Sequence, residues 1–316
     1  MGKRLGLVAC LVCALAATGS RAEAQFGPQP PHQLFYQSTT VARLNPLGLI
    51  SFFQMGYRKR LYLSNSVFVR DNYFGIGVTG SASPAFGRGG LLVELQPVPF
   101  VRLWASYEAV GYFGTFDFLP SFQNADGANW SDSALGDASD AGRNYPTTGT
   151  QLTVSGTLQA RVGPAVLRSV LRATRPDYDL RRDDEVFYDV FYDILMANRG
   201  WMTTNDLDAF YIHQDRWTVG VRYTWSRSYM PDRVFSDPMN PGNDVVTHRL
   251  GPVLVYTFFQ KYKARYNGPS ILFAVNWWLK HPYRTGQDVS QAFPYVLLGF
   301  SFQGDLLAPP SRDDDD

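Results

Sequence analysis

The sequence predicts an all-β fold: a transmembrane, antiparallel, up-and-down β-barrel of about 12 strands. Three observations predict it. First, residues 216–227, RWTVGVRYTWSR, place Trp217, Val219, Val221, Tyr223 and Trp225 on one side of an extended chain. Arg216, Thr218, Gly220, Arg222, Thr224 and Ser226 fall on the other, because successive strand side chains point to opposite faces. Second, this alternation recurs along the chain. Third, the chain opens as an export signal does: basic Met1-Gly2-Lys3-Arg4, an apolar run over 5–17, then Ala22-Glu23-Ala24 ahead of Gln25. A barrel with hydrocarbon outside and water inside unites the three.

Residues 1–24 therefore read as a secretory signal peptide, 25–303 as the outer-membrane barrel and 304–316 as an acidic C-terminal tail. A lipoprotein reading of Leu7-Val8-Ala9-Cys10 leaves about five apolar residues ahead of the cysteine, fewer than the roughly 7–15 required. Both cysteines, Cys10 and Cys13, lie in the signal, so the mature chain has no disulfide or thiolate metal site. No other stretch reaches about 18 apolar residues, so no transmembrane helix is predicted. Net charge is +1, which gives no case for nucleic acid as a partner. Aromatic residues make up 15% while mean hydropathy is −0.19. A soluble sandwich also alternates, but the aromatic load and long polar loops favour a barrel.

The predicted strands, in order, are 33–42, 49–58, 67–79, 90–96, 101–112, 151–162, 165–174, 201–212, 216–227, 248–261, 271–280 and 295–303. Each is near the roughly 9–11 residues that a tilted spanning strand needs. The fifth directs Val101, Leu103, Ala105, Tyr107 and Ala109 outward and Arg102, Trp104, Ser106 and Glu108 inward. The sixth sets Leu152, Val154, Leu158, Ala160 and Val162 against Gln151, Thr153, Ser155, Thr157, Gln159 and Arg161. The seventh carries Arg168 and Arg172 on one face, and the eighth Asp206 and Asp208. In the eleventh, Asn276 and Lys280 point inward.

Connection lengths test this order. Outer-membrane barrels have even strand counts, short periplasmic turns and long outer loops. Short links at 97–99, 163–164 and 214–215 alternate with long ones at 114–149, 175–200 and 228–247. Parity then requires the weakest strand, 33–42, to bring the count to 12. Within 185–198, EVFYDVFYDILMAN reads as a further strand, a loop helix, or a fold of Tyr188, Phe191 and Tyr192 into the lumen. Phe302 fits the closing aromatic residue read by the barrel-insertion machinery.

The stretches DNYFGIGV, SPAFGRGG, YEAVGYFGTFDFLPSF and RPDYDLRRDDEVFYDVFYDILMANRGW resemble exported proteins of myxobacteria and their relatives, described as outer-membrane or hypothetical proteins. The resemblance implies location and fold class, and no activity. In architecture the chain is similar to the twelve-stranded monomeric channels for acidic sugars and nucleosides, without any of their motifs.

Ionisable side chains facing lipid at mid-membrane cost roughly 2–4 kcal/mol, so the charged strand positions are expected to face the lumen. The candidate lining is Arg102, Glu108, Arg161, Arg168, Arg172, Asp206, Arg222 and Lys280, with Glu94 and Asp208 beside them. The expected function is a narrow channel for small polar or anionic solutes, because rings of arginine or lysine select anions. A salt-bridged, filled barrel that is structural or binds molecules through its loops is the alternative. The expected partners are outer-membrane lipid and small polar solutes; the sequence sets no cofactor and no oligomeric state. An enzyme built on His248 and His281, with Ser228, Asp244 or Asp288 nearby, is the third reading. It lacks a nucleophile elbow, so no enzyme is expected. Asp126, Asp132, Asp137 and Asp140 lack calcium-loop spacing and read as a solvated loop. Trp104, Tyr107, Tyr112, Trp201, Trp217, Trp225, Trp277 and Trp278 read as interfacial girdles.

Overall fold

The structure, a computed structural model, describes residues 30–309 except 65, 67–68, 115–119, 141–143, 182 and 262–263. The predicted signal peptide, 1–24, and the last residues of the predicted tail, 310–316, lie outside the described residues.

In chain order the strands are β1 (His32–Leu44), β2 (Gly48–Lys59), β3 (Tyr73–Ala82), β4 (Phe86–Val98), β5 (Val101–Phe113), β6 (Ser121–Phe122), β7 (Pro146–Val162) and β8 (Ala165–Tyr178). They continue as β9 (Val186–Asp189), β10 (Ile194–Ala197), β11 (Met202–His213), β12 (Trp217–Ser228), β13 (Val245–Thr257), β14 (Asn267–Lys280) and β15 (Tyr295–Asp305). One helix, α1 (Asp132–Asp140), lies between β6 and β7. All strands but β6, β9 and β10 form one closed antiparallel barrel, sealed where β1 pairs with β15 from Phe35↔Asp305 to Leu44↔Val296.

Each of the 12 predicted segments is a barrel strand. The third begins at Tyr73 and not at 67. Asn72 is the reason: its Oδ1 accepts from the Leu61 and Tyr62 amides, and its Nδ2 donates to the Tyr62 and Val69 carbonyls. That ties Leu61, Tyr62 and Val69 together in the β2–β3 connection at the short-turn end. β7 and β8 run 17 and 14 residues, longer than a span requires, and rise together above the outer rim.

Alternation sets the two faces of the wall. On β4, Leu91 is 70% exposed while the adjacent Leu92 is 1% exposed. Leu103, Tyr107, Val154, Leu158, Leu167 and Leu298 are likewise exposed on the outside. Their inward neighbours are polar and buried, among them Glu94, Ser106, Thr153, Ser155, Asp206 and Asp208. An apolar surface this large around a closed sheet is stable only in hydrocarbon, where a closed ladder also leaves no strand edge open. Three of the predicted girdle residues depart from the belt: Tyr112 and Trp278 are buried inside, and Trp104 faces inward opposite Glu94.

The core of the molecule sits in the outer mouth of the barrel. The strands β10–β9–β6 form a small sheet there, so residues 185–198 supply two short strands and not a helix. Val186, Phe187, Ile194, Leu195 and Met196 are fully buried against Ile50, Phe86, Val110, Tyr112, Tyr178 and Met202 of the wall. Each such side chain stabilises the plug by roughly 1.5–3 kcal/mol. Tyr188 and Tyr192 fold into the same core, and Phe191 packs edge-on against Phe52 at 5.6 Å.

Placing Val154→Arg on the outer face should lower barrel stability by about 2–4 kcal/mol, read by reversible urea unfolding in phospholipid vesicles. No loss would show that this face does not meet hydrocarbon.

Candidate functional site

Beneath the plug, the inner wall is built from arginines clamped on a few carboxylates. Register decides which meet. Asp208 of β11 lies opposite Arg168 of β8 and Arg222 of β12. Its carboxylate takes both guanidiniums, Arg168 Nη2 at 2.7 Å and Arg222 Nε at 2.6 Å. Two residues up the strand, Asp206 pairs with Arg172 at 3.3 Å and accepts from Thr224 Oγ1 at 2.7 Å. Nearer the short-turn end, Glu94 of β4 holds Arg58 Nε at 2.5 Å and Arg102 Nη2 at 2.7 Å. The Glu94 and Asp208 side chains are 0% exposed, while Arg168 and Arg102 remain 35% and 31% exposed. The acids are thus sunk in the wall, and the cations reach into the lumen.

The other predicted lining residues divide. Glu108 is buried at the plug's edge, accepting from Ser106 Oγ at 3.4 Å. Arg161 lies at the short-turn rim, exposed, 3.7 Å from Asp215, a pair worth little in water. Lys280 needs correction. The β13–β14 register shifts between His248 and Arg249, so Arg249 opposes Trp278 while Lys280 opposes His248. The bulge breaks the period of two and carries Lys280 off the inward face to the exposed outer rim.

Sequence reading missed Arg43, Arg58, Arg88 and Arg249, all on the inward face. Arg43 donates to the carbonyls of Val190 and Phe191 in the plug. Arg88 donates to Ser81 Oγ at 3.1 Å and lies over the Phe86 and Phe191 rings. The parity of their strands was the available signal for Arg58 and Arg249. For Arg43 and Arg88 the decisive neighbours come from a distant loop.

A second constellation locks the plug. Arg284, in the β14–β15 loop, uses all five of its N–H donors. Nε and Nη2 bond the Asp193 carboxylate in the β9–β10 turn. Nη1 and Nη2 bond Asp132 at the start of α1 at 2.9 and 2.8 Å. Nη1 also bonds Asn45 Oδ1 in the β1–β2 turn at 2.6 Å. The Arg284 and Asp193 side chains are 3% and 1% exposed. Burial disfavours the Asp193 anion, but bonds from His281 and Arg284 outweigh it and hold its carboxyl well below the usual range. The same pairing raises Arg284 against its own burial.

The two histidines do not form one site. His281 is buried: its Nε2 donates to the Asp193 carbonyl at 3.0 Å, and its Nδ1 accepts from the Tyr283 and Arg284 amides. His248 instead bonds Tyr223 Oη at 2.5 Å on the outer surface. Asp132 and Asp126 of the acidic loop are also structural: Asp126 bonds the amide and hydroxyl of Ser236, tying that loop to the β12–β13 loop.

No protein-family model matches the chain, and no curated protein does; the resemblance to myxobacterial proteins gains no sequence support. Among solved structures, the chain is similar to OccAB1 of Acinetobacter baumannii, at 7% identity and TM-score 0.39 over 87% of this chain and 96% of that one. It is also similar to the β domain of the Bordetella autotransporter BrkA, at 9% identity and TM-score 0.40 over 88% and 100%. A third is the translocator domain of NalP from Neisseria meningitidis, at 9% identity and TM-score 0.37 over 95% and 94%. What this chain's own geometry shows is a closed 12-strand barrel of a bacterial outer membrane.

Replacing Arg284 with Ala leaves Asp193 buried without its cation, which costs about 3–5 kcal/mol; amide exchange of β9 and β10 should accelerate accordingly, with barrel strands unaffected. The pH dependence has a definite sign. A depressed carboxyl contributes stability that is complete above the unfolded value of about 3.9 and fades as pH falls through the folded value. Protection of β9 and β10 should therefore match at pH 7 and pH 5 after correction for intrinsic exchange. Loss of protection at pH 5 would show that the lock formed by Asp193, His281 and Arg284 does not keep its charges there.

Proposed function

We propose that the protein is an outer-membrane channel for small anionic solutes, closed at its outer mouth by the folded plug. One observation carries the reading: Glu94 and Asp208 each bind two arginines, and the acids are hidden while the cations keep contact with the lumen. A network serving stability alone gains most from matched charge, since each uncompensated cation in a low-dielectric interior costs energy. Surplus guanidinium along a water-filled path attracts anions and repels cations. Arg172 and Arg222 extend the same surface at mid-wall, and the short-turn end leaves Gln159 and Arg161 exposed to water.

The packed plug supports a second reading, a permanently filled barrel that presents its loops outside. Conductance across a planar bilayer separates the two. The channel reading expects Arg284→Ala to show larger or more frequent steps than the native chain, with anions preferred under a salt gradient. Arg102→Gln with Arg168→Gln should cut that preference several-fold. Absence of steps from both the native chain and Arg284→Ala would favour the filled barrel, and cation preference would refute the anion reading.

A further inference from the structure

Arg249 differs from every other arginine of the inner wall. It projects from β13 opposite Thr224 and Trp278. Its guanidinium lies 4.3 Å from the Tyr295 ring centroid and 5.5 Å from that of Trp278. Yet among the described residues it makes no hydrogen bond and no ion pair. The neighbouring carboxylates are already taken, Asp206 by Arg172 and Asp208 by Arg168 and Arg222. A guanidinium offers five donors; Arg284 uses all of its own, and Arg249 presents them to the lumen.

A second observation falls in the same place. Trp278 and Asn276 share the inward face of β14 and are 2% and 3% exposed. The indole Nε1 and the amide Oδ1 are both buried without a hydrogen-bond partner. Asn276 opposes Tyr295, the ring under Arg249. Unpaired buried polar atoms are costly and uncommon. Here one donor and one acceptor sit beside a guanidinium whose donors are unused, all on three adjacent strands.

We propose that Arg249, Trp278 and Asn276 form a subsite, below the plug, for a small oxyanion that also carries an O–H group. The anion's oxygens accept from the Arg249 guanidinium and the indole N–H. The hydroxyl donates to Asn276 Oδ1, and Tyr295 backs the guanidinium. This rests on the anion-channel reading and narrows it: the bound solute is a hydroxylated oxyanion and not a halide. The ligand would reach the subsite from the short-turn end, the side away from the plug.

The test is calorimetric titration of the full barrel in detergent micelles with malate, succinate, inorganic phosphate and chloride. Malate and succinate differ by one hydroxyl, so malate should bind about tenfold tighter, as a hydrogen bond to a buried acceptor implies. Arg249→Gln should weaken malate at least about tenfold. Trp278→Phe, which keeps the ring against His281 and Tyr295, should weaken it less. Asn276→Leu should abolish the preference for malate over succinate while succinate still binds. Hydrogen phosphate also carries an O–H, so its competition with malate would place it in the same ligand class. Folding of each variant is checked by the gel-mobility shift of a heated barrel. No malate binding by the native chain, or native affinity in Arg249→Gln, overturns the subsite. Binding is read without current, so that failure leaves the channel reading to its own bilayer test.

Discussion

The structure depends on one constraint: in hydrocarbon, every backbone amide and carbonyl needs a partner within the protein, and a sheet satisfies that only by closing on itself. Closure between β1 and β15 therefore comes before everything else. Once the wall is closed, the period of two has no freedom left. Leu91 must meet lipid and Leu92 the interior, and each charged position is committed to the lumen or to a rim.

That commitment shapes the interior chemistry. Arginine is suited to such a wall because its planar fork binds a carboxylate in the plane and stays charged at any physiological pH. Clamping two guanidiniums on one sunken acid orders the arginines and leaves their outer edges wet. The plug follows a different logic. It is held by apolar burial around Phe187 and Leu195, and by Arg284, which gathers the β1–β2 turn, α1, the β9–β10 turn and its own loop at one guanidinium.

Much of this was legible in the sequence. The alternation in 101–112 and 151–162 gave the correct faces, and the loop lengths gave the closure that includes β1. The inward placement of Arg102, Arg168, Arg172 and Arg222 follows from parity alone. What was not legible is what parity does not encode. A bulge moved Lys280, because one inserted residue reverses every face beyond it. Arg284 lies in a loop with no period, and its partners Asn45, Asp132 and Asp193 are 239, 152 and 91 residues away. His281 looked available for chemistry as a lone histidine at a strand end; only the folded plug shows that both its nitrogens are engaged.

The most direct measurement of the central claim is thiol accessibility in vesicles, which suits a chain whose two cysteines both precede Gln25. Thr157→Cys and Leu158→Cys are adjacent on β7 and belong to opposite faces. A charged, water-soluble thiol reagent should modify Thr157→Cys and spare Leu158→Cys, while a nitroxide on lipid tails should quench a fluorophore at 158 and not at 157. Equal modification of both, or quenching at 157 alone, would contradict the division between lipid and lumen on which the account stands.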